Sequence, residues 1–295
     1  METSKEIYRK FCKGNSNVPI FLQPFWLDIV AENWQVILEQ ENNNSGEVLA
    51  ALPFCLKGNI VTKRIYLPDV SFYQSIFFTE KTTEKQQQKI ATTIFKKLPF
   101  ILKSYFKFIP EYNKINLTVL GFKQEVYTTY ILQNSASYIL SKHHQRQTQK
   151  AIKLNYQIEE SQNLNASYHL IEDTFLRKKI KSKINFDKLE KLQMVLKKHH
   201  CGQILDCKDS HKNILATLFF VEDSRSVYYL FSGYNMKFKN SGAITFLLNH
   251  VILRAFTQNK TINFCGSSNK NIANYFEGFG AKTTELNIWK RGISI

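Results

Sequence analysis

The sequence predicts an α/β (α+β) chain of two lobes, each a mixed, mostly antiparallel sheet flanked by helices. Short apolar runs of strand length alternate with longer helical segments along all 295 residues. Strand-like runs follow one another without an intervening helix at 34–66 and again at 203–232, which calls for antiparallel pairing. A long segment with an almost wholly polar middle, 135–155, reads as a bridging helix and divides the chain into lobes at 1–134 and 135–295.

In order along the chain, Pro24 opens a short helix over 23–33, proline being at home in a first turn. Trp34–Glu41 and Glu47–Lys57 form a hairpin around an Asn/Gly turn, and 59–66 is a third strand. Thr82 or Thr83 caps a long helix to about Phe108, broken or kinked at Pro99. Strands follow at 114–120 and 126–132. After the bridging helix come a strand at 156–160 and helices over 163–180 and 187–200. Strands at 203–207, 213–221 and 226–232 come next. The last of these carries Val227-Tyr228-Tyr229-Leu230-Phe231, apolar enough to be central. Gly242–Thr257 is a helix, Thr261–Phe264 a buried strand, and Ser268 or Asn269 caps a helix that ends at Gly280. Lys282–Lys290 is the final strand.

The net charge of +16 favours partners that carry phosphate: a phosphorylated ligand, RNA or an anionic membrane surface. Five scattered cysteines give no disulfide framework, and His199-His200-Cys201 with Cys207 matches no common zinc spacing, so no metal site is expected. No apolar run is long enough to span a bilayer, and the polar start lacks a signal core, so the expected compartment is the cytoplasm. Nucleotide-binding glycine loops and a Gly-x-Ser-x-Gly elbow are missing, which leaves NTPase, dehydrogenase and serine-hydrolase readings without their fingerprints.

The chemistry concentrates between 228 and 281. A central strand ends at Ser232-Gly233-Tyr234. Asn240-Ser241-Gly242-Ala243 then opens a helix whose first amides could hold an anion. Asn263-Phe264-Cys265-Gly266-Ser267 ends a strand in a tight turn, and Tyr275-Phe276-Glu277-Gly278-Phe279-Gly280-Ala281 ends a helix in aromatic residues. Upstream, Arg146 and Lys150 lie four apart on one helix face, with Arg177, Lys178 and Lys179 as further cations for an anionic ligand. In the first lobe, Tyr73 and Gln74 sit in a loop between strands, where substrate contacts often lie.

Tyr-Tyr-Leu-Phe-Ser-Gly at 228–233, Ser-Gly-Ala at 241–243, Asn-Phe-Cys-Gly-Ser at 263–267 and Tyr-Phe-Glu-Gly-Phe-Gly-Ala at 275–281 resemble the FemAB-like branch of the GNAT acyltransferase superfamily. Phe-Leu-Gln-Pro-Phe-Trp-Leu-Asp at 21–28 is similar to the start of bacterial FemAB-like proteins. The basic helix at 140–151 and Phe-Leu-Arg-Lys-Lys at 175–179 fit as well. The resemblance implies two GNAT-like lobes with an active site in the cleft between them. It also implies an N-acyltransferase in which an amine attacks an acyl carbonyl directly, with no covalent intermediate and no tightly bound cofactor. The co-substrate is acyl-CoA or, as in peptide-bridge enzymes, aminoacyl-tRNA, and the acceptor is a small or cell-envelope-related amine.

On this reading Tyr229, Ser232 and Glu277 are catalytic. The oxyanion N–H comes from the strand end near Leu230–Gly233, and Leu230, Asn240, Ser241, Gly242 and Ala243 bind the donor, the last four at its phosphates. Tyr73, Gln74, Arg146, Lys150, Arg177, Lys178, Ser267 and Tyr275 contact substrate. Two departures stand out. Glu277 occupies the position where aminoacyl-transferring relatives tend to carry lysine, which moves the expectation from aminoacyl-tRNA towards an acyl-CoA donor, while the CoA loop itself is reduced to Lys239-Asn240-Ser241-Gly242-Ala243. A different class stays open: a non-catalytic RNA- or phosphoglycan-binding protein on the same fold, using the basic helix 142–153 and the lysines of 177–198.

Overall fold

The computed structural model describes residues 2–292 except 42–45, 60, 136–137, 183 and 267–268. The chain divides into two compact units, Met1–Tyr127 with Glu285–Ile295, and Thr128–Thr284. The sequence expectation put the boundary at 134 and left the tail with the second lobe. The tail instead belongs to the first unit, because the end of its last strand, β12 (Lys282–Gly292), pairs antiparallel with β5 (Lys103–Lys107).

The first unit opens with α1 (Ser4–Lys13), held by a capping box in which the Thr3 hydroxyl accepts from the Glu6 amide and the Glu6 carboxylate accepts from the Thr3 amide. α2 (Pro24–Val30) starts on its proline. β1 (Asn33–Gln40) and β2 (Val48–Lys57) form the expected hairpin, and β3 (Arg64–Tyr66) and β4 (Phe77–Phe78) both pair with β2. α3 (Glu84–Lys96) carries its own capping box at Thr83 and Gln86. Its buried face, Ala91, Ile94 and Phe95, packs with Leu52, Phe54, Phe106, Phe108 and Trp289 into one apolar core.

Three expectations fail in this unit. The helix foreseen to 108 ends at Lys96, and residues 103–107 extend as β5, because a strand slot beside β12 is open to them. Residues 118–120 are a single 3-10 turn, and of the described residues of 59–66 only 64–66 is strand. α1 was not foreseen at all.

Tyr73 and Gln74 are both buried. Tyr73 packs edge-on against Phe21 and Phe72. The Gln74 side chain accepts from the Cys55 amide at 2.9 Å and donates to the Tyr105 carbonyl at 2.8 Å, bridging two strands. Neither reaches an open surface, so the acceptor contact expected of them finds a structural role in its place. Gln74→Ala strands both backbone groups in the interior, and a stability loss of about 2–4 kcal/mol is expected in urea unfolding.

The second unit takes in the end of β6 (Lys123–Leu132), then α4 (Lys142–Lys153), β7 (Gln157–Glu160), α5 (Leu164–Arg177) and α6 (Phe186–His199). β8 (Gly202–Lys208), β9 (Ile214–Glu222), β10 (Ser226–Tyr234), α7 (Ala243–Thr257), β11 (Thr261–Asn263) and α8 (Lys270–Glu277) complete it. Strand order is β6-β11-β10-β9-β8-β7. Pairing is antiparallel except between β10 and β11. α7 buries Leu247, Leu248, Val251 and Ile252 against this sheet. Among the described residues no helix is long and apolar enough to cross a membrane.

Candidate active site

The parallel pair β10–β11 sets the geometry of the site. The two strands are in register only at Ser226–Thr261, Val227–Ile262 and Tyr228–Asn263. β11 then stops, and the chain turns through Cys265 and Gly266, both at positive φ. β10 runs on to Tyr234, paired with β9 alone. From Tyr229 onward one edge of a central strand therefore lacks a strand neighbour among the described residues.

A bulge falls at the same place. Tyr229 faces Phe220 and Phe231 faces Phe219, so Leu230 is the extra residue. A bulge leaves its extra residue out of the ladder and shifts the alternation of side chains beyond it. The shift brings Tyr229 and Ser232, three apart, to one face, where their hydroxyls lie 2.6 Å apart. Residues 229–232 are only half buried, whereas Val227 and Tyr228 before them are buried. α5 can lie directly on this strand because position 233 is glycine: a Cβ there would stand 2.2 Å from the Leu170 carbonyl.

Tyr275 faces the same region from α8. Its hydroxyl lies 3.0 Å from Thr245 Oγ1 on α7. Burial, with the nearby Tyr229 adding to it, pushes the Tyr275 phenol up, and burial likewise raises Tyr229. Both are therefore neutral proton donors at physiological pH. Phe264 stacks on Phe276 at 4.5 Å, and Tyr229 meets both rings at an angle, forming an apolar wall. His144 on α4 packs against Tyr275 and Phe279, with ring centroids 4.8 and 4.3 Å away. Its Nδ1 lies 2.8 Å from the Ser141 hydroxyl, and burial, then the neighbouring His143, lowers its pKa to about 4. Gly278 makes room for that ring, since a Cβ there would sit 2.3 Å from it.

The helix start at 240–243 is less open than the sequence suggests. Gly242 is the N-cap of α7 at φ +86, and a Cβ on it would lie 2.5 Å from the Gln147 carbonyl of α4. Lys150 donates to the Asn240 carbonyl at 2.9 Å, and Ser241 Oγ accepts from the Ala243 amide at 3.3 Å. Ala243 and Thr245 are buried. The turn is thus backed by α4, and its glycine serves close helix packing as well as the left-handed conformation.

Of the expected site residues, the structure gathers Tyr229, Leu230, Ser232 and Tyr275. Arg177 joins them at the far end of β10, its guanidinium 4.6 Å from the Tyr234 ring. Burial and Arg177 lower the pKa of the adjacent Lys178. Lys150 and 240–243 form a second group at the start of α7. Arg146 is exposed on α4. Glu277 points to solvent from the last turn of α8, its carboxylate making no hydrogen bond or ion pair among the described residues. Ser267 lies outside the described residues. Thr245 and His144 were missed: Thr245 is a single polar residue on the apolar face of α7, and His144 is one polar residue among many on α4, so nothing local sets either apart.

No family model and no curated protein matches the sequence. Among solved structures, FemX aligns over 97% of this chain and 96% of its own, with a TM-score of 0.70 at 12% identity. L-PGS from Bacillus licheniformis aligns over 85% and 83% of the two chains, with a TM-score of 0.56 at 12% identity. The C-terminal domain of a putative lysylphosphatidylglycerol synthetase from Agrobacterium fabrum aligns over 90% of each chain, with a TM-score of 0.56 at 8% identity. These likenesses show that the chain shares the fold of FemX.

Proposed function

We propose that the chain transfers an acyl group to an amine at the open edge of β10, and that the donor is an aminoacyl ester carried by tRNA. The observation that carries the reading is the coincidence, within residues 228–232, of a lost strand neighbour, a bulge and a pair of facing hydroxyls. A freed strand edge can hold an extended acyl donor through its backbone, and a bulged residue such as Leu230, left out of the ladder, is the candidate to offer its N–H to charge developing on the carbonyl oxygen.

The chemistry needs little else. The amine nitrogen attacks the carbonyl carbon, and the carbonyl π electrons move to oxygen beside the Leu230 N–H. The tetrahedral adduct collapses to an amide and expels the ester oxygen, which takes the proton of the Tyr275 phenol. The ammonium proton leaves through the Tyr229–Ser232 hydroxyl pair to water, and the phenol is reprotonated from solvent. Substrate orientation supplies much of the remaining acceleration. The solvated Glu277 is a proton sink at most.

Packing of α4 against Gly242 favours tRNA over CoA, because it narrows the place where a pyrophosphate would meet the α7 amides. Acyl-CoA is the second reading, supported by the glycine helix start itself. The acceptor on either reading is a small or envelope-related amine, and the work belongs in the cytoplasm, where both donors are made. Thermal-shift titration separates the donors: a ligand at about a hundred times its Kd adds roughly 2.7 kcal/mol. Aminoacyl-tRNA is expected to raise the midpoint, and to pass its labelled aminoacyl group to an amine acceptor. Acetyl-CoA and free CoA at millimolar concentration are expected to do neither. A shift with CoA alone reverses the choice of donor, and a shift with none of them removes the acyl-transfer reading.

A further inference from the structure

A cleft of about 810 Å³ lies on the sheet face of the first unit away from α3. Its floor follows from strand register. Lys57 on β2 pairs with Arg64 on β3, and Arg64 pairs with Lys103 on β5. Directly paired residues put their side chains on one face, so three cations stand side by side across three adjacent strands. Like charges placed directly opposite one another destabilise a sheet. Little in the cleft offsets them. Glu125 is the acid among the lining residues, and Lys290 already holds its carboxylate at 2.5 Å. Arg64 and Lys103 make no ion pair among the described residues, and Lys123 adds further positive charge to the lining.

Two residues further along β3 and β5, on the same face, come Tyr66 and Tyr105, with Lys290 paired opposite Tyr105. Lysines lie over both rings, Lys57 at 4.3 Å from the Tyr66 centroid and Lys290 at 5.6 Å from that of Tyr105. The cleft is therefore a cationic rung beside an aromatic rung.

We propose that this face of the first unit binds a single-stranded RNA segment, its phosphates along Lys57, Arg64 and Lys103 and its bases against Tyr66 and Tyr105. Strand spacing stretches the cations over roughly 10 Å. A line of that length suits successive backbone phosphates better than one pyrophosphate. A groove that tracks the backbone beside rings that take bases is how sequence-tolerant single-strand binding works. A base that takes a ring face frees the lysine lying there for a phosphate. The net charge of +16 acts in the same sense at longer range. The inference stands apart from the acyl-transfer reading, since it concerns another unit and needs no aminoacyl group.

The test uses the full chain, a short fluorescent single-stranded RNA without any aminoacyl group, and the double variant Arg64→Gln/Lys103→Gln. Binding is read by anisotropy over a salt series. The variant is expected to bind about tenfold or more weakly. Its plot of log affinity against log salt is expected to be shallower by about 1.4, for two lost phosphate contacts. Its unfolding midpoint is expected to equal or exceed that of the wild type, because a like-charge row has been removed. Unchanged affinity and slope in a folded variant would falsify the proposal. Equal affinity for duplex RNA, or displacement of the RNA by micromolar ADP, overturns it too, the latter by assigning the cleft to a small phosphorylated ligand.

Discussion

Tyr275→Phe is expected to slow acyl transfer by about 10²–10⁴-fold, the usual span for losing a general acid. The substitution removes one oxygen and keeps the ring. Packing against His144 and Phe279 is retained, and the structural loss is one hydrogen bond to Thr245. That bond is worth about 1 kcal/mol, so the unfolding midpoint should move by only a few degrees. The loss should fall on kcat, with KM for the donor little changed, since in the proposed mechanism the phenol acts only as the ester oxygen departs. A wild-type kcat in this variant would remove Tyr275 from the chemistry and leave it as part of the wall beside Tyr229.

Gly233→Val is expected to destabilise the second unit by about 3 kcal/mol or more. Any Cβ at this position meets the backbone of α5, 2.2 Å from the Leu170 carbonyl and 2.5 Å from the Ile171 amide nitrogen. A flexible side chain could step aside, but a helix backbone must move as a body, so the cost lies at the upper end for overpacked cores. For a unit of this size the midpoint falls by about 10 °C. Gly233→Ala already introduces the offending atom and should show much of the loss. A midpoint within a degree or two of wild type in both variants would mean that α5 is free to shift off β10.

The hairpin of β1 and β2, the helices α5, α6, α7 and α8, and the strands β8 to β11 all follow from local signals. Hydrophobic period, caps such as Asn269, and the turn glycines act within a few residues, and local sequence carries them in full. α1 was legible too, through Thr3 and Glu6 three residues apart, a capping signature that sequence reading passed over. β5 was not. Lys103–Lys107 reads equally well as the end of a helix, and a partner more than 180 residues away in the chain decides the matter.

The candidate sites divide along the same line. Tyr229, Ser232 and Tyr275 could be named from sequence because they sit on strongly patterned elements, but their meeting depends on a one-residue bulge at Leu230 and on where β11 stops. Tyr73 and Gln74 looked like loop residues with polar work to do, and only the surrounding core shows Gln74 spent on two backbone groups. The basic cleft was invisible, since its cations lie at 57, 64, 103 and beyond, with no run or spacing to join them. By itself, the sequence determined the fold class, the element order of the second unit and the strongly basic charge, because each is a sum over local choices. Only the tertiary structure decided which strand edge stays open, which glycines serve close packing, and which charges share a face, because strand register couples residues that no local pattern links.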